Sequence, residues 1–357
     1  MNTHRIQGLD IARALAVFAM VQVNFNLILQ ADKENSWGLS LLEGRASALF
    51  VVLAGIGIAF LTNNSRLSGI TANIRQSRYA LIKRGILLAV IGLAYTPYWQ
   101  ADILHFYGVY FLCAAALFTL KDRQLILAAL CMPLIFIALM IFFNYEQGWD
   151  FSTLSYLDLW SPEGMFRHLF FNGFHPVFPW LSFLLYGIWL GRQDLAASAL
   201  RKKLFFTALF LCLLTEACFA LLTYDALRDP AWGLTTEEVE ALLSTAPMPP
   251  WPQYLISAAA SATLVIITCI SLSQRFANTR LIQWLSVTGQ YSLTLYLAHV
   301  LIAQELFAPL GLHRLPQLSA TLYTSLAFSI LAVIFCLLWQ RKFSAGPVEY
   351  LFRKLVN

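Results

Sequence analysis

The chain has 357 residues, 59% of them hydrophobic and only 12% charged, with a formal net charge of +5. Ordinary soluble domains carry about 25% charged residues, so this composition excludes a water-soluble globular enzyme and a disordered chain alike. Ten long apolar stretches account for it, and the expectation is an all-α polytopic membrane protein.

In chain order the predicted spans are 8–30, 45–62, 79–95, 102–120, 124–143, 169–190, 203–223, 253–273, 281–307 and 319–340. At about 1.5 Å per helical residue each is close to the length needed to cross a hydrocarbon core of about 30 Å. No water is present there to satisfy backbone groups, so helices are the expected spanning structure. The first span is too long for a signal peptide and has no small-residue cleavage site, so it is expected to stay as an anchor.

Eighteen of the twenty-four Lys and Arg residues fall on one side of these spans. They are Arg5, the loop residues Arg66, Arg75, Arg78, Lys83 and Arg84, then Lys121 and Arg123, then Arg192, Arg201, Lys202 and Lys203, then Arg275 and Arg280, and finally Arg341, Lys342, Arg353 and Lys354. Basic residues concentrate in short cytoplasmic loops, so both termini are predicted to be cytoplasmic, as an even number of spans requires. This asymmetry explains the net charge without a nucleic-acid partner.

Two longer segments fall on the opposite, extracytoplasmic side. Residues 144–168 hold Trp149, Trp160 and a predicted turn at Ser161-Pro162-Glu163-Gly164; residues 224–252 hold a helical-looking acidic run from Thr235 to Leu243, then four prolines. Neither is large enough for a separate domain, so the whole of 1–357 reads as one membrane domain. All six cysteines lie in apolar spans with no CxxC pair, so packing is their expected role. His105, His168, His175 and His299 share a predicted side, but without HxxxH or HExxH spacing, and no metal is expected. No phosphate-binding glycine motif occurs either.

Ionisable residues inside a membrane are costly and mark candidate sites. In the first span Asp10, Arg13 and Asn24 fall within about 60° on one helix face, and Asp10 and Arg13 are spaced to pair. That pair is either a neutralised anchor for the helix or a site for an anionic group at the cytoplasmic mouth. In the ninth span Thr288, Ser292, Tyr296 and His299 form a polar stripe within about 80°; such a stripe either glues helices or lines a hydrated path. Asp102 and His105 open the fourth span at a spacing that lets the acid fix one imidazole tautomer. His175 in the sixth span is followed by Pro176 and Pro179, which break or kink a helix. Glu216, in the seventh, needs a partner or a water-filled pocket.

Several stretches resemble, in order and almost end to end, the YeiB-like membrane proteins related to heparan-alpha-glucosaminide N-acetyltransferase. They are Arg5 to Asn24 (RIQGLDIARALAVFAMVQVN), Glu43 to Phe60 (EGRASALFVVLAGIGIAF), Ile103 to Phe111 (ILHFYGVYF), His175 to Leu195 (HPVFPWLSFLLYGIWLGRQDL), Thr288 to Ile302 (TGQYSLTLYLAHVLI) and Gly346 to Phe352 (GPVEYLF). The resemblance implies transfer of an acyl group, acetyl in the characterised relatives, from cytosolic acyl-CoA to a sugar amine or hydroxyl across the membrane. Acyl-CoA is then a co-substrate rather than a tightly bound cofactor. The partners implied are membrane lipids, acyl-CoA and an extracytoplasmic sugar or glycan acceptor; some relatives are homodimers. A bacterial inner membrane suits the compact chain.

Carried onto these residues, Arg13 and Asp10 sit where a CoA phosphate would arrive, with Thr288, Ser292 and Tyr296 along the path. Asn24 matches an Asn assigned a catalytic role, and its amide can donate to a thioester oxyanion. The relative's catalytic His lies in a Lys-His-Ala-Ser-Trp stretch, which reads Lys33-Glu34-Asn35-Ser36-Trp37 here. Either Glu34 is the base, or His105, His175 or His299 supplies it, or the acetyl transfer has been lost; the polar stripe favours His299. Two other classes remain open: a secondary transporter or exporter of a small polar metabolite, and a non-catalytic envelope-assembly subunit.

Overall fold

The computed structural model describes residues 6–28, 42–307 and 318–356. Among these the protein is all-α, with fourteen α-helices and one two-residue β-hairpin. The helices are α1 (Gln7–Ile28), α2 (Arg45–Ser68), α3 (Thr71–Tyr95), α4 (Leu104–Leu117), α5 (Asp122–Phe142), α6 (Pro162–Arg167), α7 (Val177–Gly191), α8 (Ser198–Ala226), α9 (Thr236–Leu243), α10 (Pro252–Arg275), α11 (Arg280–Gly289), α12 (Ser292–Ile302), α13 (Leu318–Trp339) and α14 (Pro347–Val356). The hairpin pairs β1 (Trp149–Asp150) with β2 (Ser155–Tyr156).

Six helices, α1, α2, α5, α8, α10 and α13, are long and apolar enough to cross a membrane. Shorter apolar helices lie at 104–117, 177–191 and 292–306. Only 17% of the apolar window of α5 and 11% of that of α8 is buried, against half or more in α1, α2 and α10. Phe142 and Ile141 of α5 are among the most exposed apolar side chains, as hydrocarbon-facing positions require.

Two of the predicted spans are interrupted. The sixth, 169–190, begins as a π-helical turn at His168–Asn172, and a regular helix resumes only at Val177, after Pro176. This is the break that the prolines predict. The ninth, 281–307, is two helices, α11 and α12, separated at Gln290 and Tyr291, with a further π-helical turn at Ala303–Phe307. Outside the spans, α9 follows the predicted acidic run and starts on a capping box: Thr235 N donates to Glu238 Oε2 at 2.8 Å and Glu238 N to Thr235 Oγ1 at 3.2 Å. The predicted turn at 161–164 is instead the start of α6. Ser161 Oγ accepts from Gly164 N at 2.9 Å, and Pro162 suits the first helical position.

The chain divides into two compact units, Met1–Phe50 with Arg201–Phe205 and Ala262–Asn357, and Val51–Leu200 with Phe206–Ser261. In the first, α1 packs against α11, α12 and α13. Its approach to α11 is close enough that a Cβ on Gly289 would lie 1.7 Å from the Asp10 carbonyl oxygen. In the second, α3 lies along α4, and α5 along α7. A Cβ on Gly92 would lie 2.2 Å from His105 N, and one on Gly187 2.3 Å from the Val52 carbonyl oxygen. Small residues at such crossings let backbones meet where apolar burial alone supplies no driving force.

Candidate active site

The first unit brings Asn24 of α1 to His299 of α12, with Asn24 Nδ2 and His299 Nε2 2.8 Å apart. The other ring nitrogen, His299 Nδ1, pairs with the Tyr296 carbonyl oxygen. A carbonyl only accepts, so Nδ1 carries the proton, Nε2 presents its lone pair, and the Asn24 amide donates to it. His299 is fully buried, between Phe25 and Phe328 at ring-centroid distances of 6.3 and 6.5 Å, with Tyr296 at 5.3 Å. The phenol ring of Tyr296 in turn stacks on Phe50. The arrangement is a neutral imidazole held in one tautomer and one orientation, with an amide beside its lone pair.

What orients α12 is a residue far away in sequence. Glu349 of α14 takes the first amides of α12 on Oε1, from Leu293 N at 2.8 Å and Thr294 N at 3.0 Å, while Thr294 Oγ1 donates to Oε2 at 2.5 Å. It satisfies orphan donors at the helix start and places a negative charge at the positive end of the helix dipole. Nothing in the composition points to Glu349; the stretch GPVEYLF contains it without marking its partner.

Helix α1 runs unbroken from Gln7 to Ile28, so Arg13 and Asn24 are about 16 Å apart along one rod. Arg13 and Asp10 form the predicted pair, Nη1 to Oδ1 at 2.5 Å, with the Asp10 side chain 1% exposed and that of Arg13 26%. The polar stripe is only partly as expected. Ser292, Tyr296 and His299 share α12, but Thr288 lies on α11, across the break, where its hydroxyl donates to the Trp284 carbonyl at 2.8 Å. Glu34 lies outside the described residues.

The other predicted histidines belong to the second unit. Asp102 is buried at the start of α4, and its Oδ2 accepts from Leu104 N at 2.8 Å, His105 N at 3.3 Å and His105 Nδ1 at 3.2 Å. Asp102 therefore caps α4 and fixes His105 in the predicted tautomer. The His105 ring stacks on His168 at 5.5 Å. His175 packs edge-on against Trp180 at 4.5 Å, and its carbonyl accepts from Tyr110 Oη at 2.5 Å. Sequence reasoning gives no site role to His168, which is fully buried with both ring nitrogens lacking a hydrogen-bond partner. Among the described residues no three metal-ligating side chains converge. Beside this cluster, Arg167 Nη2 donates to Asp158 Oδ2 at 2.6 Å and Arg167 Nε to Tyr156 Oη at 2.9 Å. Burial raises the Tyr156 phenol above its usual pKa, against the opposing pull of Arg167.

Two family models match the chain. Residues 189–357 match a family described as protein of unknown function (DUF418), the YeiB-like group. Residues 5–201, more than half of the chain and including α1 with Asn24, match heparan-alpha-glucosaminide N-acetyltransferase, catalytic. A search of curated proteins finds no match. An integral membrane protein of acetyltransferase-like type agrees with both the apolar helices and the matches. The chain belongs to the family of the heparan-alpha-glucosaminide N-acetyltransferase catalytic domain, joined to a YeiB-like C-terminal half.

Proposed function

We propose that the protein moves an acyl group, acetyl in the first instance, from cytosolic acyl-CoA to a sugar or glycan acceptor on the opposite face of the membrane. The topology that goes with this is about ten spans, both termini in the cytoplasm, segments 144–168 and 224–252 outside, and one catalytic domain over 1–357 in a bacterial inner membrane. In support of that reading, the six long apolar helices number ten when the three shorter ones and α3 are counted with them.

The observation that carries the reading is the 2.8 Å contact between Asn24 and His299. His299 Nε2 is the base. When the acceptor enters, its O–H or N–H replaces the Asn24 amide at Nε2 and gives up a proton as its heteroatom attacks the thioester carbonyl. The Asn24 amide then donates to the carbonyl oxygen as negative charge builds on it, a contribution of the kind worth about 3–4 kcal/mol when such a donor is lost. Collapse of the tetrahedral intermediate breaks the C–S bond, and the CoA sulfur takes the proton back from His299. At the other end of the rod Arg13, balanced by Asp10, meets the CoA phosphates, since guanidinium matches phosphate oxygens. Thr288, Ser292 and Tyr296 line the way for the pantetheine arm, which spans the distance from Arg13 to Asn24.

Equilibrium binding of acetyl-CoA to the purified protein separates the two ends of this site. Arg13→Ala should weaken binding, whereas Asn24→Ala and His299→Ala should bind as the wild type does. No binding of acetyl-CoA or a longer acyl-CoA to folded wild type would refute the reading.

A further inference from the structure

A second polar site lies in the second unit, around the one carboxylate in the apolar length of α8. Glu216 lines a cavity of about 380 Å³, together with Phe219, Thr223 and Tyr224 of α8 and Ser244 and Thr245 of the segment that follows α9. Its position is ten residues before the end of α8 and seven before the end of the predicted span 203–223, about 10 Å of helical rise into that span. There an ionisable side chain is costly and marks a functional site by default. Ser257 Oγ donates to Glu216 Oε1, and Thr245 Oγ1 to Oε2 at 2.9 Å. A carboxylate offers about four acceptor positions, so it can hold these hydroxyls and a ligand's donors together.

The wall opposite α8 is pinned rather than loose. Gln253 Nε2 donates to the carbonyls of Leu242 at 2.8 Å and Ser244 at 3.2 Å, and Trp251 Nε1 to that of Ala241 at 2.8 Å. The surrounding segment 224–252 holds five carboxylates and one basic residue, Arg228, a net charge of −4 in a chain of net +5. Such a field draws cations toward the cavity. The Tyr224 ring at the cavity already carries a cation on its face, with the Arg228 guanidinium 4.4 Å from its centroid.

We propose that this cavity binds an organic primary ammonium group, with Glu216 as counter-ion, the Thr223 and Ser244 hydroxyls as further acceptors and the Phe219 and Tyr224 rings as walls. An ammonium brings three donors and a compact charge, which one carboxylate among hydroxyls satisfies; aromatic faces add attraction for the same cation. A bare metal ion fits less well, because a single carboxylate supplies too few ligands. The ammonium comes either from the ethanolamine headgroup of a membrane phospholipid or from a soluble amine. This inference does not depend on the acyl-transfer reaction.

Native mass spectrometry of the detergent-purified protein should show phosphatidylethanolamine retained in preference to phosphatidylcholine, or titration with ethanolamine should change the tryptophan fluorescence saturably. Retention of the lipid alone identifies a headgroup site, and a response to ethanolamine identifies a site for soluble amines. In either case Glu216→Gln, which keeps the side-chain shape, should weaken binding by about tenfold, the equivalent of 1.4 kcal/mol. Ala220→Phe, which fills the cavity from a lining position one helical turn beyond Glu216 and keeps the carboxylate itself, should do the same and serves if the first variant does not fold. Equal retention of the two lipids with no response to ethanolamine would overturn the proposal, as would undiminished binding in a folded variant of either kind.

Discussion

Replacing Glu349 by alanine removes a cap that lies 50 residues from the histidine it positions. Three donors are affected, the amides of Leu293 and Thr294 and the Thr294 hydroxyl, at 2.8, 3.0 and 2.5 Å. Loss of a side-chain cap costs about 0.5–2 kcal/mol, and loss of the charge at the helix start adds about 0.3–1 kcal/mol. Glu349 is half-buried, so water recovers part of the loss, and about 2 kcal/mol is expected for Glu349→Ala. Glu349→Gln keeps an acceptor for the two amides but loses the charge, so about 1 kcal/mol is expected. In neutral detergent, thermal unfolding followed by tryptophan fluorescence should rank wild type above Gln above Ala. If α12 is oriented through this cap, the Ala variant also loses catalysis at temperatures where it remains folded, while acyl-CoA binding at Arg13 persists. An Ala variant as stable and as active as the wild type would refute the coupling of α14 to His299.

At Gly187 a Cβ would meet the Val52 carbonyl oxygen at 2.3 Å, whereas nothing lies within 4 Å of one on Gly57. Gly187→Ala should therefore lower the yield of monodisperse protein in size-exclusion chromatography, and Gly57→Ala should not. In the capping box of α9, the hydrogen bonds from Thr235 hold the Glu238 carboxyl below its ordinary pKa. A depressed carboxylate stabilises the fold above its unfolded pKa of about 4.3 and loses that contribution as pH falls through the lower, folded value. Hydrogen exchange of α9, corrected for intrinsic rate, should accelerate on acidification into that window, and Glu238→Gln should abolish the pH dependence. Asn24→Asp keeps the size of the side chain but removes the donor to His299 Nε2; it should reduce turnover by about 100-fold or more with acyl-CoA binding unchanged in an equilibrium assay.

Features governed by neighbours along the chain are legible in the amino-acid sequence itself. The capping box Thr235–Glu238, the Asp102–His105 pair, the Asp10–Arg13 pair and the break at Pro176 each depend on residues within a few positions of one another. The ninth span shows what periodicity misses. Its apolar run continues through Gln290 and Tyr291 with no proline to mark the break, so periodicity puts Thr288 on the same helix as His299. Glu349 is silent because its partners, Leu293 and Thr294, are some 55 residues away, and its role depends on tertiary contact. The same holds for Asn24 and His299, whose side chains stand out on separate helices for different reasons and are joined only in the folded protein. Glu216 is legible as a charge needing a partner, and Ser257, Thr245 and a cavity are what the fold provides.

The measurement that bears most directly on the acyl-transfer reaction is thioester cleavage of acetyl-CoA by purified wild type, Asn24→Ala and His299→Ala in the presence of an amino-sugar acceptor, with free CoA and acetylated product both quantified. Equimolar CoA and acetylated sugar from the wild type, with both lost in each variant that still binds acetyl-CoA, is the expected result. Acetylated product formed at the wild-type rate by His299→Ala would contradict the assignment of His299 as base. Bound acetyl-CoA that the wild type never cleaves would contradict acyl transfer at the Asn24–His299 pair.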